Sequence, residues 1–134
     1  MANPNIVNVV SIYGNTAYQT PSNTSASVAW TYNGSTALTG LTPAAGTVNK
    51  VTSIVVSNTT AAAVSCSVAI ANNATYSSGT ANYMAYAVSV PANATLVVTD
   101  KTTSFYVTEN QSVGVISGVS SALSYVATFE SISA

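Results

Sequence analysis

Hydrophobic and polar residues alternate along most of the chain, so that every second residue is apolar. The clearest example runs from Val64 through Cys66 and Val68 to Ile70, with small or polar residues between them. Successive side chains of a β-strand point to opposite faces, so this period of two predicts a strand with one buried face. No segment shows a sustained period of 3.6 residues, and the pattern therefore predicts an all-β protein.

About nine strands are predicted, separated by turns rich in Gly, Asn and Pro such as Gly14-Asn15 and Asn33-Gly34. Their regular spacing is typical of an antiparallel β-sandwich or jelly roll. We expect one domain over residues 1–134, in which residues 15–47 form an irregular loop or a weak hairpin. The predicted strands are residues 5–13, 26–32, 47–57, 64–70, 84–90, 95–99, 105–108, 112–117 and 123–129.

Alternation within each predicted strand also selects the side chains that should form the core. The expected core residues are Val28, Trp30, Ile54, Val64, Cys66, Val68, Ile70, Met84, Tyr86, Val88, Val115, Leu123, Tyr125 and Phe129.

The composition excludes several classes of function. The chain has two Lys, three acidic residues, no Arg and no His, although 48% of it is hydrophobic. Without imidazole or guanidinium groups, most acid–base and metal chemistry has no candidate residues. Asp100 and Glu109 flank one predicted strand and could serve as a glycosidase pair, but turn capping is the simpler interpretation. We therefore expect no catalytic residues, no metal and no cofactor, and we expect the single Cys66 to be a buried small hydrophobe.

The same scarcity of charge limits the partners. Two Lys residues cannot displace the counterions of a nucleic acid, nor form a polybasic membrane contact. No apolar run reaches the ~20 residues of a membrane span, and the first residues lack the charged and apolar regions of a signal peptide. Neither a nucleic acid nor a membrane is therefore an expected partner.

Self-association is the interaction that the pattern favours. Ser, Thr and Asn, which number 20, 19 and 13, occupy most outward positions, and almost no charged residues protect the sheet edges. Tyr residues near loops or at outward positions could serve as interface anchors or as platforms for a sugar. The candidate interface residues, with the apolar N-terminal strand included, are Ile6, Val7, Val9, Tyr13, Tyr18, Tyr83 and Tyr106.

Three segments of the chain resemble one known family. They are residues 1–14, MANPNIVNVVSIYG; residues 89–112, SVPANATLVVTDKTTSFYVTENQS; and residues 126–133, VATFESIS. These segments are similar to small virion structural proteins of tailed marine phages, cyanophages especially. The resemblance covers both ends and the middle of the chain, and it is weakest over residues 15–47.

The resemblance supplies no catalytic motif, but it implies a role. It implies a virion component made in the host cytoplasm, most simply a decoration (cement) protein that stabilises the head from the capsid surface. Its partners would be the major capsid protein or other virion subunits, and further copies of itself in a trimer. Two alternatives stay open: a glycan-binding β-sandwich on a virion or cell surface, and a structural subunit of the tail or neck.

Overall fold

The computed structural model describes residues 8–21, 28–29 and 41–133, and the described part of the chain is nearly all β-structure. Short 3₁₀ turns lie at Tyr76–Ser78 and Lys101–Thr103. The strands are β1 (Ser11–Gln19), β2 (Val28–Ala29), β3 (Thr47–Asn58), β4 (Val64–Ala71), β5 (Ala81–Val90), β6 (Thr95–Thr99), β7 (Phe105–Val107), β8 (Ser112–Ser117) and β9 (Leu123–Ser133).

The described strands form two antiparallel sheets that pack as a sandwich, which confirms the predicted fold class. The five-stranded sheet has the order β1-β9-β3-β6. The fifth strand, β7, pairs with residues 49–51 of β3, whereas β6 pairs with residues 54–57 of the same strand. The four-stranded sheet has the order β2-β8-β4-β5. Strands that are adjacent in sequence often lie in different sheets, so the chain crosses repeatedly over the core.

The core lies between the sheets and consists mainly of Val, Ile and Leu, whose branched side chains suit a pleated surface. Partly buried residues such as Ile70 pack against it. Trp30 and the side chain of Val28 lie outside the described residues. The predicted core residues that are confirmed as buried are Ile54, Val64, Cys66, Val68, Val115, Leu123, Tyr125 and Phe129.

Tyr125 connects the two sheets through the middle of the core. Its side chain is fully buried in β9, and its hydroxyl donates a hydrogen bond to the carbonyl oxygen of Ile116 in β8 at 2.6 Å. A buried phenol needs such an acceptor because its O–H has lost water. Burial raises the pKa of Tyr125 far above its ordinary value and also raises that of the Cys66 thiol. Cys66 is therefore the buried small hydrophobe that the sequence predicts.

The face assignment predicted for β5 is wrong. Met84, Tyr86 and Val88 are exposed rather than buried, and Tyr86 is 71% exposed. The register with β4 shifts twice, which interrupts the alternation that the prediction assumed. One shift lies beside Ala87, which has a positive φ of 49°, and its N–H donates to the Ser67 hydroxyl at 2.8 Å.

The first strand also differs from the prediction. β1 continues through the predicted turn at Gly14-Asn15, and it includes the beginning of the segment 15–47 that was expected to be irregular. Gly14 pairs with Glu130, and the Asn15 amide donates to the Ser131 hydroxyl at 3.3 Å. The neighbouring strand β9 therefore pairs with Gly14 and Asn15 and keeps them extended, although the two residues by themselves favour a turn. Residues 5–7 of the predicted strand lie outside the described part.

A buried Asn organises one end of the sandwich. The Asn58 side-chain amide donates to the carbonyl oxygens of Ala62 at 2.8 Å and Val90 at 3.0 Å. Its side-chain oxygen accepts from the backbone N–H and the hydroxyl of Thr60. Asn58 is buried, so these bonds replace those that it would make with water. The side chain thus holds the β3–β4 turn against the end of β5.

The loop between β4 and β5 covers part of the outer face of the four-stranded sheet. The ring of Tyr76 lies directly on Gly114, so that a Cβ atom at this position would overlap the ring. Gly114 pairs with Ala69, which is buried although it points away from the core. Small residues at these two positions make room for the aromatic ring.

Candidate interaction surfaces

The outer face of the five-stranded sheet carries an apolar row that crosses four strands. Its members are adjacent by register from β1 through β9 and β3 to β6. Tyr18 is 47% exposed and Val97 is 56% exposed at the two ends of the row. Their neighbours in sequence, such as Ala17 and Val98, pack in or against the core, so these side chains point outward. The apolar row consists of Tyr18, Val126, Val55 and Val97.

Hydroxyl groups border the apolar row on both sides. On one side Thr128 accepts or donates a hydrogen bond with the Ser53 hydroxyl at 2.5 Å and with the Thr52 hydroxyl at 3.2 Å. On the other side the Ser57 and Thr95 hydroxyls are 3.1 Å apart. These groups partly satisfy one another across the strands, which lowers the cost of removing them from water.

One pair of opposite charges lies on the same face. Glu130 in β9 is directly opposite Lys50 in β3, and Lys50 is in turn opposite Tyr106 in β7. Opposite residues in an antiparallel pair have Cβ atoms about 5 Å apart, so the two charges are neighbours. The face therefore carries one positive and one negative group, separated from the apolar row by the hydroxyl groups of Ser53 and Thr128, and those charges sum to zero.

A second surface is formed by the outermost strand of the four-stranded sheet. The rings of Tyr83 and Tyr86 in β5 contact each other edge to face, with centroids 4.8 Å apart. Met84 and Val88 are also partly exposed along this strand. The sequence assigned Tyr83 and Tyr86 to opposite faces, and the shifts in register bring them together. No signal in the sequence alone locates such shifts.

The structure distributes the predicted interface residues over several places. Tyr18 and Tyr106 share the outer face of the five-stranded sheet, whereas Tyr83 lies on β5. Tyr13 is exposed near the start of β1, and Val9 is half-buried. Ile6 and Val7 lie outside the described residues. The predicted residues thus do not form one site. The sequence did not indicate Val126, Val55 and Val97, which continue the apolar row from Tyr18 in β1 across the sheet to β6.

The acidic residues occupy separate positions. Asp100 caps the 3₁₀ turn at Lys101–Thr103, where its carboxylate accepts from the Thr102 hydroxyl at 2.6 Å and the Thr102 N–H at 2.9 Å. The hydroxyl bond first, and then the N–H bond, lower the pKa of Asp100. Glu109 accepts from the N–H of Gly46 at 3.2 Å. Within the described ranges, no group of three His, Cys, Asp or Glu side chains is placed to hold a metal ion.

Comparison with known proteins found no matching family model, no matching curated protein and no matching solved structure. Over the residues that the structure describes, no helix is long and apolar enough to cross a membrane.

Proposed function

We propose that the protein is a structural subunit of a phage virion, and specifically a decoration protein that binds the capsid surface and stabilises the head. Its partners would be the major capsid protein or other virion subunits and further copies of itself. A role as a tail or neck subunit is the related alternative.

The observation that carries this proposal is the apolar row on the outer face of the five-stranded sheet. Val126 and Val97 are 42% and 56% exposed there, on a chain with only two Lys and three acidic residues. A contiguous outward apolar strip is typical of a surface that another protein covers. The hydroxyl groups that border the strip partly satisfy one another's hydrogen bonds, so covering the strip leaves fewer polar groups unsatisfied.

The proposal is tested by heating phage heads with and without the protein and following capsid melting by calorimetry. A ligand that binds only the intact lattice stabilises it by about 2.7 kcal/mol at one hundred times its dissociation constant. We expect a higher melting temperature with the protein present. Raising salt from about 0.05 to 0.5 M should release little protein, since screening acts on charges and the contact has few.

A matched pair of variants tests whether the apolar row contributes. Val97→Lys introduces a charge into the row, whereas Val119→Lys introduces one at a similarly exposed Val in the loop before β9. We expect the first variant to lose its effect on capsid melting and the second to keep it. Equal melting of heads with and without the wild-type protein would overturn the cement role.

The contact between Tyr83 and Tyr86 supports a second candidate, glycan binding. Two exposed aromatic rings on one strand offer the stacking surface that sugar sites use, and Asn82 lies beside them in sequence. Titration with a panel of oligosaccharides, followed by NMR, would test it. Binding should disappear in Tyr83→Ala and persist in Tyr106→Ala, which removes a Tyr of similar exposure from the other sheet. Absence of any chemical-shift change at millimolar sugar would exclude this function.

A further inference from the structure

We propose that the outer face of the five-stranded sheet packs against the same face of a second copy, across a two-fold axis that runs along the strands between β9 and β3. This inference rests on the same apolar row as the proposed function and deepens it, because it assigns that row to the contact between copies of the subunit and leaves the other surfaces to contact the capsid. A two-fold contact of this kind can stand alone as a dimer or connect larger rings.

The charges select this arrangement. Glu130 and Lys50 lie opposite each other on the two central strands of the face. A two-fold axis between these strands lays β9 over the partner's β3, so Glu130 meets the partner's Lys50 and Lys50 meets the partner's Glu130. A partner of one charge sign would instead attract one of the two groups and repel the other. The face is thus electrostatically complementary to itself.

The same rotation matches the rest of the face. It sets Val126 against the partner's Val55, and Tyr18 against the partner's Val97, because these residues occupy one row. The hydroxyl groups beside the row face hydroxyl groups of the partner. Apolar residues therefore contact apolar residues, hydroxyl groups contact hydroxyl groups, and each charged group meets one of opposite sign. This complementarity allows the two sheets to pack face to face.

The size of the face suits a stable pair. The sheet is four strands wide at the apolar row, and its longest central strand, β3, has 12 residues. With about 4.8 Å between strands and about 3.3 Å per residue, the face measures roughly 19 by 36–40 Å, or about 700 Å² per copy. Two copies would bury about 1,400 Å², within the range of roughly 1,200–2,000 Å² found for specific interfaces.

The test is a pair of charge-reversed variants that are studied separately and mixed. Lys50→Glu makes both central positions acidic, and Glu130→Lys makes both basic. Each variant alone should self-associate at least tenfold more weakly than the wild type, because both symmetric contacts become repulsive. An equimolar mixture should form the mixed dimer preferentially, as measured by native mass spectrometry and sedimentation. Lys101→Glu, on an exposed turn, is the matched control and should dimerise like the wild type.

Lys50 and Glu130 are also neighbours in the same molecule, so each variant alone has repulsion within one chain as well as between copies. Mixing the two variants restores attraction only between copies, and the mixture therefore tests the contact between them. Circular dichroism and thermal melting would verify that each variant is folded. If either is not, Val126→Lys in the apolar row should abolish the dimer, and Val119→Lys should leave it intact.

A wild-type protein that stays monomeric at about 100 μM would overturn the inference, and so would a mixture with only statistical pairing. Either result would leave the virion role standing if heads still melt higher with the protein. Normal pairing together with unchanged capsid melting would instead reject the virion role alone.

Discussion

Replacing Gly114 by Ala tests whether the β4–β5 loop is fixed to the outer face of the four-stranded sheet. The added methyl group would overlap the Tyr76 ring, so either the ring leaves the sheet or the strands move apart. A ring that lifts off exposes roughly 100 Å² of apolar surface, which costs about 2.5 kcal/mol at ~25 cal/mol per Å². Overpacking costs are typically about 1–3 kcal/mol, so the two approaches agree on about 2 kcal/mol.

The assay is chemical and thermal unfolding of a double-mutant cycle. Gly114→Ala should lower the melting temperature by roughly 6–10 °C for a chain of this size. In a Tyr76→Ala background the same change should cost almost nothing, because the ring that it strikes has gone. Gly14→Ala is the matched control, since a Cβ there has no atom within 4 Å, and it should be neutral or slightly stabilising. Equal costs of Gly114→Ala with and without Tyr76 would refute this reasoning.

Three further predictions follow from the core and the turns. Phe129→Ala removes a buried ring of β9 and should cost ~3–5 kcal/mol in denaturant unfolding; an unchanged midpoint would mean that Phe129 is not packed in the core. Tyr125→Phe removes the hydroxyl that bonds to Ile116 and should cost about 1–3 kcal/mol, whereas the exposed Tyr106→Phe should be neutral. The pKa of Asp100 is lowered in the folded state, so its contribution to stability is present above its unfolded pKa of about 3.9 and is lost as the pH falls through the lower folded value. The melting temperature of Asp100→Asn should therefore fall less steeply than that of the wild type as the pH is lowered through the acid range. An identical fall in the two proteins would contradict this.

Most strands could be predicted from the sequence because their boundaries are local. β4 and β6 were predicted almost to the residue, since alternation begins and ends at turn residues that act on the backbone directly. Burial in β9 followed as well, because Leu123, Tyr125 and Phe129 keep an unbroken period of two. Where the ladder is regular, parity along the strand is enough to identify the core.

The errors occur where a neighbouring strand changes the local pattern. The outward side chains of β5 depend on register shifts against β4, and one shift is supported by the Ser67 hydroxyl. Likewise, Gly14 and Asn15 continue β1 because β9 pairs with them. The apolar row was missed for a related reason, since Tyr18, Val126 and Val97 come from distant parts of the sequence and become neighbours only through sheet order.

The shifts in β5 also bear on how a nearly uncharged protein could avoid indiscriminate pairing of its strands. Lys and Glu usually protect an edge strand, but β5, outermost in the described four-stranded sheet, has neither. Its two register shifts bend the strand and interrupt the regular ladder that another chain would need to extend it. The five-stranded sheet also has register shifts, between Ile54 and Val55 against β6 and between Val51 and Ser53 against β9, but the residues of the apolar row stay paired across all four strands. In the proposed pair, association uses a face with a defined pattern of apolar, hydroxyl and charged rows and not the edge of β5.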